Sequence, residues 1–180
     1  MSSRSAVQSL ALASVADPAR FRAVLGSFCS GITVVTALGP GGPLGLTCQS
    51  FSSLSLDPPL VMFSPSRSSA TWPEIRRIGT FCVNILAEEH QRVSMQMARS
   101  GSDKYAGVAW ERTPLGAPCL AGAAAWLDCT LEAEHDGGDH TIVVAAVRGL
   151  AANAQARPLL YFQGRYAALA VDREPPGAQG

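Results

Sequence analysis

Three stretches of the sequence hold polar or aromatic groups at spacings that suit ligand chemistry. The first runs Gly45-Leu46-Thr47-Cys48-Gln49-Ser50-Phe51-Ser52-Ser53-Leu54-Ser55-Leu56-Asp57-Pro58-Pro59-Leu60 and, after a strand, resumes at Ser64-Pro65-Ser66-Arg67-Ser68-Ser69-Ala70-Thr71. Hydroxyls donate and accept, and loops of small residues let backbone N–H groups approach a flat polar ligand. A helix starting near Thr71 would present free N–H groups and a partial positive charge to a phosphate. Arg67 would add a charge-assisted contact, while Glu74 in the first turn works mildly against an anion. The same serines equally suit a solvated loop with a plain helix cap, and residue types alone leave both readings open.

The second stretch is Asp136-Gly137-Gly138-Asp139-His140. A histidine entering a strand can hydrogen-bond a ligand amide or phosphate without a shifted pKa, or it can simply be solvated. The third, Pro158-Leu159-Leu160-Tyr161-Phe162-Gln163-Gly164-Arg165-Tyr166, sets aromatics around a glycine turn. It reads either as the rim of a ring-binding site or as a closing hairpin of core aromatics. His90, among charged residues, reads as solvent-facing. Cys129, His135 and His140 match no common zinc spacing, and Cys129 falls on the apolar side of a strand, so no metal site is expected.

Familiar catalytic motifs are absent. No G-x-G-x-x-G follows a strand, and there is no G-x-x-x-x-G-K-[ST], H-E-x-x-H or G-x-S-x-G. A dinucleotide therefore has no Rossmann crossover to bind.

The elements that must position these groups follow from turn chemistry and periodicity. Asp17-Pro18 predicts a helix start, with Phe21, Val24, Leu25 and Phe28 on one side. The β-branched run 32–37, the turn Gly39–Pro43 and the segment 44–49 predict a hairpin, and Ser50–Leu56 an exposed connection. A strand is expected at 60–63. A helix from Thr71, with Glu74 completing a capping box and Gly79 ending it, follows. A strand at 81–86 and a helix over 88–99 precede a polar loop at 101–107. Two long strands, 124–134 and 140–150, flank a Gly-Gly turn, with Asp128 on the polar side of the first. Short strands at 159–162 and 166–169 close the domain. Seven or eight mostly antiparallel strands with two or three helices fit a β-barrel with helical elaborations better than a doubly wound sheet.

Composition bounds the rest. At 180 residues, one domain is expected over 17–170, with a flexible arm at 1–16 and a disordered tail at 171–180. Charged residues are only 16%, and 14 basic balance 14 acidic side chains, so no basic field exists for nucleic acid or an anionic membrane. No apolar run is long enough to span a bilayer, and the N-terminus is short for a signal peptide. Five cysteines without a C-x-x-C fit a reduced, cytoplasmic compartment.

Several motifs in one order carry a family resemblance. Gly31-Ile32-Thr33-Val34-Val35-Thr36, Gly-x-Thr-x-x-Ser-Phe-x-Ser-x-Ser-x-x-Pro-Pro-Leu over 45–60, Gly138-Asp139-His140 and Pro158-Leu159-Leu160-Tyr161-x-x-Gly164-x-Tyr166 resemble the flavin reductase-like, FMN-binding split-barrel family. Within it, the chain is similar to the reductase components of two-component flavin-dependent monooxygenases. Phe28-Cys29-x-Gly31-Ile32-Thr33, Cys48-Gln49-Ser50-Phe51 and Phe81-Cys82-Val83-Asn84 look most like the reductase partners of actinobacterial steroid-ring hydroxylases.

The resemblance implies an antiparallel split β-barrel, a homodimer with flavin near its interface, and FMN or FAD with NADH as cofactors. It implies that Thr47, Cys48, Gln49, Ser50, Ser52 and Ser53 meet the flavin ring and ribityl chain, with Phe63, Ser64 and Pro65 ending the next strand against it. Ser66, Arg67, Ser68, Ser69 and Thr71 would hold the phosphate. His140, as the catalytic residue, and Pro158, Tyr161 and Tyr166 would border the nicotinamide, and residues 95–99 the cofactor's far end. Three functions stand open: a reductase supplying reduced flavin to a separate monooxygenase, a self-contained flavoprotein with its own substrate, and a non-catalytic flavin- or haem-binding module.

Overall fold

The computed structural model describes residues 15, 17–101 and 103–170, and the chain reverses where glycine turns require it. The first helix, α1 (Pro18–Leu25), starts at Asp17, whose carboxylate accepts the Ala19 N–H at 2.9 Å. Next come β1 (Ser30–Gly31), β2 (Thr33–Gly39) and β3 (Gly42–Cys48), the last two a hairpin whose turn needs Gly42 at φ 116°. After β4 (Ser52–Leu56) and β5 (Pro59–Phe63), α2 (Trp72–Ile78) ends at Gly79 in the left-handed region. The chain continues through β6 (Thr80–Ile85), a 3-10 turn at Glu88–His90 and α3 (Gln91–Met97). A small hairpin of β7 (Trp110–Arg112) and β8 (Pro118–Leu120) precedes the long ribbon of β9 (Ala125–Gly137) and β10 (His140–Ala152). Finally, β11 (Leu160–Phe162) and β12 (Arg165–Ala167) form a sheet with β1.

The architecture is mainly β, and among the described residues every strand pairing is antiparallel. Seven strands form one sheet in the order β3-β2-β6-β9-β10-β5-β4. Its two terminal strands, β3 and β4, are neighbours in the chain, joined by residues 49–51. Three residues span ~10 Å at most, so the sheet must curl until its ends approach at that connection.

Both faces of the curled sheet are covered. On one side Phe63, Trp72 and Phe81 meet edge-to-face, with centroids 5.4, 5.6 and 6.0 Å apart, among Val35, Ile75 and Val143. On the other, Ile32 and Val34 pack with Leu86, Met97, Leu120 and Leu159. Burial on two faces explains why residues 33–37 of β2 are an uninterrupted run of β-branched and small residues.

Several expectations change. Ser50–Leu56 is not an open connection, because β5 pairs with Ser52–Leu56 and makes it an edge strand. The 88–99 helix divides into the 3-10 turn and α3. His90 is half-buried and accepts the Ala87 N–H at 3.3 Å instead of facing solvent. Asp128 is buried, because its carboxylate accepts Thr113 Oγ1 at 2.7 Å and Leu115 N–H at 2.9 Å. The apolar side of α1 meets no core: Phe21, Val24, Leu25 and Phe28 are all exposed. The arm at 1–16, apart from Val15, and the tail at 171–180 lie outside the described residues. Among the described residues no helix is long and apolar enough to cross a membrane.

Candidate active site

The curl opens a cleft of about 1040 Å³ between the end of β3, the segment after β5, α3 and the tip of the β9–β10 ribbon. Thr47, Cys48, Gln49 and Ser50 line one wall, and Ser64, Pro65, Ser66, Ser68, Ser69 and Thr71 another. His140, Tyr161 and Tyr166 complete the lining. Three stretches distant in sequence thus share one space.

Each wall has a local cause. Alternation along β3 turns Cys48 into the core, while Thr47 on the opposite face donates to the Ser94 carbonyl at 2.7 Å. Ser50 Oγ accepts the Ser64 N–H at 2.7 Å and lies 3.1 Å from the Ser64 carbonyl, to which it donates. Beyond it the chain turns at Ser66–Ser69, with the Ser66 and Ser68 hydroxyls 2.8 Å apart. Ser69 Oγ accepts the Trp72 N–H at 3.1 Å and caps α2. Thr71 makes no side-chain cap, so the expected Thr71–Glu74 box does not form and the Thr71 hydroxyl serves elsewhere.

The ribbon tip is fastened to this turn. Arg67 N–H donates to the Asp139 carbonyl at 2.9 Å, and Thr141 N–H to the Pro65 carbonyl at 3.0 Å. The Arg67 guanidinium donates to Asp136 Oδ1 at 2.6 Å. The Gly138 N–H, then Arg67, hold the Asp136 carboxyl below its ordinary value. His140 Nδ1 lies 2.7 Å from Asp139 Oδ1, and that contact lowers the Asp139 pKa. An ionised Asp139 makes Nδ1 the donor and leaves Nε2 for a ligand.

Five expected residues stand elsewhere. Arg67 is turned away from the cleft, its guanidinium held on the outer side by Asp136, so it does not face the expected phosphate position. Phe63 is sealed in the core, Ser52 and Ser53 lie on exposed β4, and Pro158 bridges Ala87. None of these five lines the cleft.

Other lining residues had been assigned no contact of their own. Gly45 is one: a Cβ there would stand 2.6 Å from Met97 Sδ, so glycine is what lets α3 close on β3. Ser94 is buried, with its hydroxyl 3.0 Å from Tyr166 OH, and Tyr161 meets the Tyr166 ring edge-on at 5.3 Å. Lys104 is half-buried and donates to Gly45 O, Met97 O and Thr71 Oγ1. Burial lowers its pKa. Its neighbour Tyr105 donates to Leu44 O at 2.8 Å, and burial, then the Cys82 thiol, raises the Tyr105 pKa. No contiguous motif marks Ser94 or Lys104, because their partners lie far along the chain or in other elements.

With this geometry in place, comparison decides the family. The model of the flavin reductase like domain matches residues 25–170. The chain belongs to that family. It is 47% identical over 160 residues to the reductase subunit HsaB of a flavin-dependent monooxygenase from Rhodococcus jostii, covering 89% of this chain and 82% of the relative. Nitrilotriacetate monooxygenase component B from Mycobacterium thermoresistibile superposes with a TM-score of 0.83 at 44% identity, covering 88% and 90% of the two chains. The Streptomyces globisporus NADH:FAD oxidoreductase SgcE6, in complex with NAD and FAD fragments, gives a TM-score of 0.83 at 32% identity, over 90% and 100%. Of the motifs that carry the resemblance, residues 45–50 and His140 line the cleft of this flavin reductase-like domain.

The lining suits a flavin. Hydroxyls and backbone groups of 47–50 and 64–71 match a ring and sugar-like chain rich in hydrogen-bonding edges. The volume is at the upper limit of the ~300–1,000 Å³ typical of small-molecule sites, which leaves room for a second planar ligand.

Proposed function

We propose that the chain is an NADH-dependent flavin reductase of a two-component monooxygenase, reducing FMN or FAD and releasing it to a separate oxygenase. The observation that carries the reading is the joining of the hydroxyl-lined walls, His140 and the tyrosine pair in one cleft large enough for two ligands. A bound flavin supplies the ring that accepts hydride from the nicotinamide. The protein's share is placement. Residues 47–50 and 64–66 orient the flavin, and Ser66, Ser68, Ser69 and Thr71 receive its phosphate end. His140, its Nδ1 fixed by Asp139, offers Nε2 to the nicotinamide amide, and Tyr161 and Tyr166 exclude water from that side. No side chain has to carry a proton through a Ser-His-Asp relay.

The same reading takes residues 17–170 as one split-barrel domain, flanked by the arm and the tail. The adjacency of β3 and β4 at opposite ends of one sheet supports the split barrel. A homodimer is supported by the uncovered apolar residues of α1 and by Leu56 and Leu150, which stay exposed on the subunit. Five free cysteines, one of them exposed, support a reducing, cytoplasmic setting.

The test mixes pure protein with NADH and excess FMN or FAD and follows loss of nicotinamide absorbance. Many turnovers on free flavin are expected. Turnover only with retained flavin and an added organic acceptor would favour a self-contained flavoprotein, and no turnover a passive flavin carrier.

A further inference from the structure

The cleft contains one cation whose surroundings the family reading leaves unexplained. Lys104 Nζ lies 2.9 Å from Gly45 O, 3.1 Å from Met97 O and 3.2 Å from Thr71 Oγ1. Three acceptors require three N–H donors, which only the protonated ammonium has. Among the described residues no carboxylate lies within salt-bridge distance of it. A half-buried positive charge is therefore held rigidly by three elements with no counter-ion of the protein's own.

The contact with Thr71 has a direction. Because Lys104 donates to Thr71 Oγ1, the threonine hydroxyl proton is free to point elsewhere, and among the described residues it donates to no protein acceptor. Thr71 and Lys104 both line the cleft, beside Ser68 and Ser69. Arg67, the cation the sequence put forward, is taken by Asp136. Arg99 also lines the cleft but is exposed, where solvent and salt screen it more strongly than the half-buried ammonium.

We infer that Lys104 is the positioning cation for the flavin phosphate, acting through the Thr71 hydroxyl and setting the preference for phosphorylated over unphosphorylated flavin. This rests on the reading that the phosphate end of the flavin lies at Ser66–Thr71. Substitution of Lys104 by methionine keeps the stem and removes the charge, and arginine keeps the charge.

The experiment is equilibrium titration of the full-length protein with FMN and with riboflavin at two salt concentrations. The wild type is expected to prefer FMN, with an FMN affinity that falls as salt rises. Lys104→Met is expected to weaken FMN binding about tenfold or more, leave riboflavin binding within about twofold, and flatten the salt dependence. Lys104→Arg should keep most of the preference. Thr71→Val, which leaves the ammonium in place, should lose part of it, and adding Lys104→Met should then cost less than in the wild type. An unchanged FMN preference in Lys104→Met, or equal losses for FMN and riboflavin, overturns the assignment. Should Lys104→Met fail to fold, an unchanged preference in Thr71→Val overturns it alone. A wild type that binds both flavins equally removes the phosphate placement itself, and that result appears before any variant is made.

Discussion

Ser50 and Ser64 are joined twice: the Ser50 hydroxyl accepts the Ser64 N–H at 2.7 Å and lies 3.1 Å from the Ser64 carbonyl. Ser50 belongs to the connection between β3 and β4, and Ser64 directly follows β5. One side chain thus ties together the two walls that face each other across the cleft. Ser50→Ala is expected to lower stability by about 1 kcal/mol. Flavin affinity should fall several-fold, read by fluorescence titration. A variant with unchanged affinity would show that the walls hold their spacing without this tie.

Arg67 faces Asp136, not the cleft, so Arg67→Ala is expected to leave the ratio of FMN to riboflavin affinity unchanged. KM for NADH should rise instead, since the ribbon tip that presents His140 loses an anchor. The Asp136 carboxyl is held below its ordinary value of 3.8 by the Gly138 N–H and by Arg67. The tie therefore contributes fully above the unfolded carboxylate range, ~3.9, and is lost as pH falls through the lowered folded value. In an NMR titration Arg67→Ala should raise the Asp136 midpoint while leaving it depressed by Gly138. An unmoved midpoint would separate the two residues in solution.

Much of the fold could be read from local chemistry. Asp17 caps α1, Gly79 stops α2, and the Gly39–Gly42 and Gly137–Gly138 turns reverse the chain, all of them signals of a few adjacent residues. β4 was illegible because its serines have no strand propensity, and only pairing with β5 makes them extended. Asp128 read as a surface residue because alternation says nothing of the loop that delivers Thr113 and Leu115 to it. In the site, Thr47–Ser50, Ser64–Ser69 and His140 could be named because their motifs are contiguous. Lys104 could not: its acceptors come from positions 45, 71 and 97, and in a polar loop it resembles any solvated lysine. Arg67 was misdirected for the same reason, since Asp136 lies far along the chain.

His140→Ala is expected to slow hydride transfer from NADH while changing flavin affinity little. Stopped-flow reduction of a flavin-loaded sample at saturating NADH checks this. A wild-type rate would remove His140 from the nicotinamide side.

Gly45→Ala places a methyl 2.6 Å from Met97 Sδ and 3.4 Å from Tyr105 OH. Met97 is fully buried and has little room to yield, so a loss of about 1–3 kcal/mol is expected, seen as a lower Tm. Shortening Met97 to valine in the same chain should recover part of it. A Gly45→Ala protein as stable as wild type would mean that α3 shifts freely on β3.

The adjacency of β3 and β4 in the chain, at opposite ends of their sheet, also fixes where the molecule tolerates being cut. A circular permutant with new termini in the Gly39–Gly42 turn keeps every covalent strap around the pocket. One opened between Ser50 and Phe51 leaves the rim at β3 fastened to the facing wall only through side chains, Ser50 and the Cys48 thiol on Ser64, and the ligand seat should then splay apart.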